Sequence, residues 1–231
     1  MNKAVCILSG GLDSACTAAH IKSNGYQLYL ITFYYGQRSK IELERARIIA
    51  SYLQAKEHKI LDISFMKELY AKSNVLTDDN SSMPGKFDYS IVVPVRNAIF
   101  ISIASAWAFS IDANMVAYGA HKGDKNYPDC RPEFVKSINE MVNIAEIDGI
   151  KQGIRSEIKI WSPALDGIEK HDLLRIGNKV LGDKLFQTWS CYTDGVELNG
   201  EVAQCGRCES CVNRKTAFKE AGIEDKTKYV E

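Results

Sequence analysis

The chain has 231 residues, 45% hydrophobic and 25% charged, a composition ordinary for one large α/β domain with or without a small appendage. Its 29 Lys+Arg exactly balance 29 Asp+Glu, which argues against the broad nucleic-acid affinity that a basic surface gives, while leaving room for a local pocket for a small anion. The most apolar stretch, Ala98 to Phe109, is too short to span a bilayer, so no membrane partner is expected.

Lys3 leads straight into an apolar run, Ala4 to Leu8, which predicts a fully buried strand. No basic-then-apolar leader precedes it, and the expected location is cytoplasmic. The run Ser9-Gly10-Gly11-Leu12-Asp13-Ser14 follows, and then a predicted helix from Ala15 to Lys22. Strand, glycine turn and helix N-terminus together offer several backbone N–H groups to a phosphate. Ser9 and Ser14 add hydroxyl donors, and Asp13 suits a Mg²⁺ held between carboxylate and phosphates. No Lys follows the glycines as in a Walker A loop, which disfavours an ordinary P-loop NTPase. A plain glycine turn with an Asp/Ser cap is the structural alternative.

Further strands are expected at Tyr26 to Phe33, His58 to Ile63, Met115 to Tyr118 and Glu157 to Trp161. Ala46, Ile49, Ala50 and Leu53 form a helical stripe between two of them. This alternation predicts a five-stranded parallel, Rossmann-like sheet with right-handed crossovers. Residues 73–89 break the pattern with a polar loop, an active-site lid or a surface excursion. The nearly all-apolar helix from Ala98 must be buried in the core or against another subunit. Pro132 opens another helix with Val135, Ile138, Met141 and Val142 on one face, and Glu169 to Val180 gives a further one. Lys170 and His171 are expected at an ordinary exposed helix start, and His121 as a hydrogen-bonded loop histidine.

Near Phe186 the sheet pattern gives way to a cysteine-rich segment, which divides the chain into residues 1–186 and 187–231. Cys205, Cys208 and Cys211 make a C-x₂-C-x₂-C knuckle, with Cys191 fourteen residues upstream of it. Four thiolates meet the demand of a closed tetrahedral Zn²⁺ site, with an iron–sulfur cluster as the competing reading. Arg207, Arg214 and Lys215 are candidates to compensate its negative charge.

Beyond this local chemistry, the glycine run resembles the SGGxDS loop of the N-type ATP pyrophosphatases, or PP-loop enzymes. Tyr35-Gly36-Gln37-Arg38, Arg96-Asn97, Tyr127 to Phe134, Thr188 to Tyr192 and the knuckle follow in the order of one family within that group. The chain thus resembles the QueC family of 7-cyano-7-deazaguanine (preQ0) synthases. The gap from Cys191 to Cys205 is longer than that family leads one to expect, with Asp194 to Ala203 as extra loop. The resemblance implies an adenine nucleotide alpha hydrolase-like fold with a small C-terminal zinc-binding helical segment. It also implies a homodimeric ligase of queuosine biosynthesis that joins 7-carboxy-7-deazaguanine and ammonia at the expense of ATP.

Site residues follow from the same resemblance. Leu8, Ser9, Gly10, Gly11, Leu12, Asp13, Ser14, Ala15, Cys16, Thr17 and Ala18 would line ATP and its Mg²⁺. Ser9, Asp13, Ser14 and Arg96 would act in catalysis, and Tyr35, Arg38, Arg96, Asn97, Tyr127 and Asp129 would bind the heterocycle and its carboxylate. Cys191, Cys205, Cys208 and Cys211 would hold structural Zn²⁺. Three rival functions are a QueC-like ligase using another amine, a tRNA-modifying PP-loop enzyme and a non-enzymatic zinc module. The neutral charge disfavours the tRNA enzyme, and the glycine run the zinc module.

Overall fold

Five parallel strands form the central sheet: β1 (Lys3–Ile7), β2 (Gln27–Tyr34), β3 (Glu57–Asp62), β4 (Met115–Ala117) and β5 (Lys159–Trp161). Their spatial order is β3-β2-β1-β4-β5. The computed structural model describes residues 2–230 apart from Ala71, Lys72, Asp79 and Asn199. Strand β1 is buried on both faces, as its continuous apolar run requires: Ala4 and Cys6 point to one core, Val5 to the other.

The helices are α1 (Leu12–Ser23), α2 (Ile41–Tyr52), α3 (Met66–Tyr70), α4 (Arg96–Ser110), α5 (Pro132–Ala145), α6 (Ile147–Lys151), α7 (Lys170–Leu181) and α8 (Glu209–Ala221). Apolar residues of α1, α2, α7 and α8 cover one sheet face, and those of α3, α4 and α5 the other. The strand order reverses between β1 and β4, the place where open α/β sheets leave a crevice beyond the strand ends.

Helix α4 belongs to the core. Phe100, Ile101, Ala104 and Ala108 are buried against the sheet, and Phe33 stacks on Phe100 with ring centroids 4.4 Å apart. The apolar span Tyr89–Ser110 is long enough by composition to cross a membrane, but its continuity is broken at Pro94 and at Val95, whose φ is +49°. A β-branched residue is strained in that left-handed region, and the turn it makes starts α4 at Arg96.

Two features differ from the sequence reading. The expected extra loop after Cys191 contains an antiparallel hairpin, β6 (Val196–Leu198) with β7 (Glu201–Ala203). Residues 73–89 are also fastened down: the Arg38 N–H donates to Leu76 O (3.1 Å), and Glu209 N donates to Pro84 O (3.2 Å). Asp79, in the expected polar loop, lies outside the described residues. The cysteine-rich segment shares the main core, because Ala217, Phe218 and Ala221 of α8 pack in the same cluster as α1 and α7.

Candidate active site and metal centre

At the carboxyl ends of β1 and β4 lies a cavity of about 280 Å³. Gly10, at φ +88°, makes the turn from β1 into α1. A Cβ on Gly10 would stand 2.2 Å from the Glu42 carbonyl oxygen, so α2 packs where only glycine fits. The loop is braced internally. The Ser9 and Ser14 hydroxyls lie 2.9 Å apart, Ser9 N donates to Ser14 Oγ (3.1 Å), and Gly11 N donates to Ser9 Oγ (3.2 Å). Gly119, after β4, lies so close to Ser14 N that a Cβ would approach to 2.8 Å. Two glycine-dependent contacts thus press the loop into shape from opposite sides, at the amino end of a helix suited to an anion.

Charge is arranged around this loop from distant parts of the chain. At Gly177, α7 meets α1 so tightly that a Cβ would stand 2.2 Å from Cys16 Sγ. The same packing brings Lys170 Nζ to 2.9 Å from Asp13 Oδ2. Burial pushes the Asp13 carboxyl up, but the Lys170 ammonium and His121 outweigh it and hold Asp13 below the ordinary carboxylate range. Lys170 is raised: burial works against its charge, while Asp13 and Asp124 favour it more strongly. Lys170 therefore lines the cavity as one half of an ion pair, which corrects the expectation of an ordinary exposed helix start.

His121 is buried in its loop. Its Nδ1 accepts from Gly123 N (3.1 Å), which turns Nε2 toward Asp124 Oδ1 (3.5 Å) and Asp13 Oδ1 (3.9 Å). Asp124 also accepts from His121 N (2.9 Å). Burial raises the Asp124 carboxyl despite His121, with neighbouring Asp13 adding to the rise.

The opposite wall is aromatic and cationic. Arg96, the first residue of α4, donates from Nη1 to Tyr35 Oη (3.1 Å) and lies over the Tyr35 ring. Burial opposes the Arg96 charge, but Tyr35 and Asp129 favour it, so the guanidinium stays firmly protonated. Tyr127 meets Phe87 edge to face, with centroids 5.5 Å apart. Tyr192 donates to Glu209 Oε2 (2.6 Å), and Asn213 Nδ2 donates to Glu209 Oε1 (2.5 Å).

The four cysteine sulfurs lie within 4.8 Å of one another. Tetrahedral Zn²⁺ with bonds of about 2.3 Å separates its sulfurs by roughly 3.8 Å. Cys205 Sγ and Cys211 Sγ are 3.9 Å apart, and Cys208 N donates to Cys205 Sγ (3.3 Å). Donor type, number and spacing therefore fit a metal of that kind. Gln204 Oε1 accepts from Ser190 N and Cys191 N (3.1 Å each), fixing the approach of Cys191. The segment entering the cysteine cluster is tied to the glycine loop by a backbone bond, Trp189 N to Gly10 O, 2.9 Å.

Arg214 departs from its expected role as thiolate compensation. Fully buried, it donates to the hydroxyls of Thr188 (2.8 Å), Ser190 (3.2 Å) and Thr227 (2.9 Å). Its charge acts partly on Asp13 and Cys16, beneath the glycine loop. Lys215 donates to Gly206 O (3.1 Å), inside the knuckle.

Comparison with known proteins decides the family. The family described as "Queuosine biosynthesis protein QueC" matches residues 3–222. The chain belongs to the QueC family. A 7-cyano-7-deazaguanine synthase of Rickettsia akari is 39% identical over the whole of both chains. That of Caldicellulosiruptor bescii is 39% identical over 98% of this chain and 97% of its own. The 7-cyano-7-deazaguanine synthase 1 of Colwellia psychrerythraea is 40% identical over 98% of each. Among solved structures, a 4-thiouridine synthetase–RNA complex with bound ATP superposes with a TM-score of 0.52 at 16% identity, over 96% of this chain and 50% of that one. That likeness shows the fold, a parallel five-stranded sheet of the expected α/β class.

Against this QueC framework, the structure brings together Leu8, Ser9, Gly11, Leu12, Asp13 and Ser14 at one end of the cavity. Tyr35, Arg38, Arg96, Asn97 and Tyr127 line the rest. Three expectations need correction. Ala15, Cys16, Thr17 and Ala18 face the core rather than the cavity, because the helix turns its next residues under the loop. Asp129 does not line the cavity: its carboxylate accepts from Asn97 N (3.1 Å) and caps the first turn of α4. Arg38 lines the cavity but spends its guanidinium on the carbonyls of Ser81 (2.7 Å) and Asp78 (3.4 Å). Lys170, Glu42, Tyr192 and Glu209 also line the cavity and were not among the expected site residues.

Proposed function

We propose that this chain uses ATP to convert 7-carboxy-7-deazaguanine and ammonia to 7-cyano-7-deazaguanine by way of the amide. Full-length similarity to relatives named for that synthesis carries this reading, and one cavity holding both a glycine loop and Arg96 supports it. A carboxylate is a poor acyl donor, because its oxide leaves badly. Attack of the carboxylate oxygen on the α-phosphorus of ATP expels pyrophosphate and gives an acyl-adenylate. Ammonia then forms the C–N bond as the C–O bond to AMP breaks. A second adenylation, now of the amide oxygen, allows elimination to the nitrile.

The protein's part is to position and to neutralise. Ser9, Ser14 and the loop N–H groups hold the phosphates, with the Lys170 ammonium beside them. Asp13, kept ionised, is the residue to hold Mg²⁺, which when bound offsets charge on the departing pyrophosphate. Arg96 receives the substrate carboxylate, and Tyr35 and Tyr127 flank the heterocycle. Residues 1–186 carry this chemistry, while 187–231 hold a structural Zn²⁺ through Cys191, Cys205, Cys208 and Cys211.

The protein is further read as a cytoplasmic homodimer without a nucleic-acid partner. The neutral net charge supports the last point. Partial exposure of Ile99, Ile103 and Trp107 on α4 supports the dimer. The test is mass spectrometry of products from 7-carboxy-7-deazaguanine, ATP, Mg²⁺ and ¹⁵N-ammonium. Nitrile carrying one ¹⁵N is expected. Adenylate that never yields nitrile from ammonium would assign the chain to a ligase using another amine.

A further inference from the structure

Four acidic side chains line the cavity, and three are occupied. Asp13 is paired with Lys170, Asp124 with His121, and Glu209 accepts from both Tyr192 and Asn213. Glu42 differs. Among the described residues its carboxylate has one long contact, from Gln37 Nε2 at 3.4 Å, and no cation within ion-pair distance. Beside it on the β2–α2 connection stands Ser39, only 3% exposed, lining the same cavity with a buried hydroxyl that finds no hydrogen-bond partner. A half-buried acid without a cation and a buried, orphaned hydroxyl on one cavity wall are costly unless a ligand satisfies both.

Their place in the fold points to the ligand. Glu42 is in the first turn of α2, and its carbonyl is the atom against which Gly10 packs. The carboxylate is thus carried by the backbone that abuts the glycine loop. Phosphates are repelled by a carboxylate, and the heterocycle's carboxylate would be too. Ammonia and ammonium fit: both are small, and both donate hydrogen bonds to a carboxylate and a hydroxyl.

We infer that Glu42 and Ser39 form the subsite for the amine nucleophile, with Glu42 accepting the proton released as nitrogen attacks the adenylate. This rests on the ligase reading above. In balanced form, NH₃ forms the new bond to the acyl carbon, and the C–O electron pair leaves with AMP. One N–H proton passes to the Glu42 carboxylate, and the product is the amide. Glu42 is suited to that exchange. Burial pushes its carboxyl up to about 8, Gln37 and Arg96 draw it down, and Asp194 and Cys191 add to the rise. An acid that titrates near working pH can both take and release a proton.

The test compares the two half-reactions in Glu42→Gln. Removing a positioned base lowers rates by about 10²- to 10⁴-fold, so kcat/KM for ammonium should fall about a hundredfold or more. Pyrophosphate release dependent on the acid should fall far less. Hydroxylamine, a stronger nucleophile already neutral at pH 7, should narrow the gap between variant and parent. Equal losses in both half-reactions, or an unchanged kcat/KM for ammonium, would overturn the assignment. Should Glu42→Gln prove insoluble, Ser39→Ala decides: a fall of about tenfold in kcat/KM for ammonium supports the subsite, and no change refutes it. If the unaltered protein releases no pyrophosphate with the acid, the ligase reading itself fails and takes the subsite with it. Normal turnover by the parent with an indifferent Glu42→Gln removes the subsite alone.

Discussion

The glycine loop and the cysteine knuckle meet at one hydrogen bond, Trp189 N to Gly10 O, yet they are held in shape by different means. The loop is fixed by exclusion: α2 and the chain after β4 come so close that a single methyl group on Gly10 or Gly119 cannot be admitted. Its shape follows from packing and from its own hydrogen bonds among Ser9, Gly11 and Ser14. The knuckle is fixed by attraction. Four sulfurs within 4.8 Å of one another could hold a metal ion, and as thiolates they would repel one another without a cation between them. The difference teaches that one site draws its rigidity from packing within the chain, while the other offers a donor set that a metal would lock.

The largest effect should come from breaking the metal side. Cys208→Ala should lose the metal, about one zinc per chain by elemental analysis in the parent, and should fold poorly. Structural zinc contributes about 10–16 kcal/mol in small zinc domains, comparable with a typical domain's whole stability of about 5–15 kcal/mol. Iron with sulfide in place of zinc would overturn the metal assignment.

Next is Gly10→Ala. A Cβ 2.2 Å from a backbone oxygen, at φ +88°, combines overpacking with left-handed strain, and a loss of about 3 kcal/mol is expected in urea unfolding. Zinc content should be retained. Loss of zinc along with stability would mean that the glycine loop and the cysteine cluster are one cooperative unit.

Asp13→Asn addresses charge at the loop without altering its shape. Turnover should fall at least a hundredfold, and stability near pH 7 should fall too, because Lys170 loses its partner. Because the folded carboxyl titrates below the ordinary value, its contribution to stability is present above about pH 4 and lost as acid carries the pH through the lowered value. The acid limb of the parent's stability profile should therefore flatten in Asp13→Asn. Full turnover in this variant would remove the loop's assignment.

The smallest effect separates the two chemical steps. Arg96→Lys should slow use of the anionic acid about ten- to a hundredfold, the scale of a charged hydrogen bond, and use of the neutral amide much less. Supplying the amide directly should then partly restore nitrile formation. Equal damage to both steps would place the carboxylate elsewhere.

Sequence revealed the parts whose chemistry is local. Buried parallel strands announce themselves as continuous apolar runs, and a glycine loop or a C-x₂-C-x₂-C knuckle is written in consecutive residues. Lys170 was legible only as a helix start, because its meaning depends on Asp13, 157 positions away, brought near by the fit of Gly177 against Cys16. Glu42 was hidden for the same reason: what distinguishes it is a missing partner, which only three dimensions can reveal. Asp129 misled because its family motif borders the pocket while its carboxylate turns back to cap α4. The hairpin after Cys191 had a readable signal in Asn199-Gly200 between short alternating apolar residues, the pattern of a tight turn.

A cavity that adenylates twice must release AMP in fixed proportion to its products. The most direct test is the amount of AMP released per product as ¹⁵N-ammonium is consumed, followed by mass spectrometry over time. Amide is expected before nitrile, with one AMP for each amide and two for each nitrile. Nitrile accompanied by a single AMP, or appearing with no amide able to replace the acid as substrate, would contradict it.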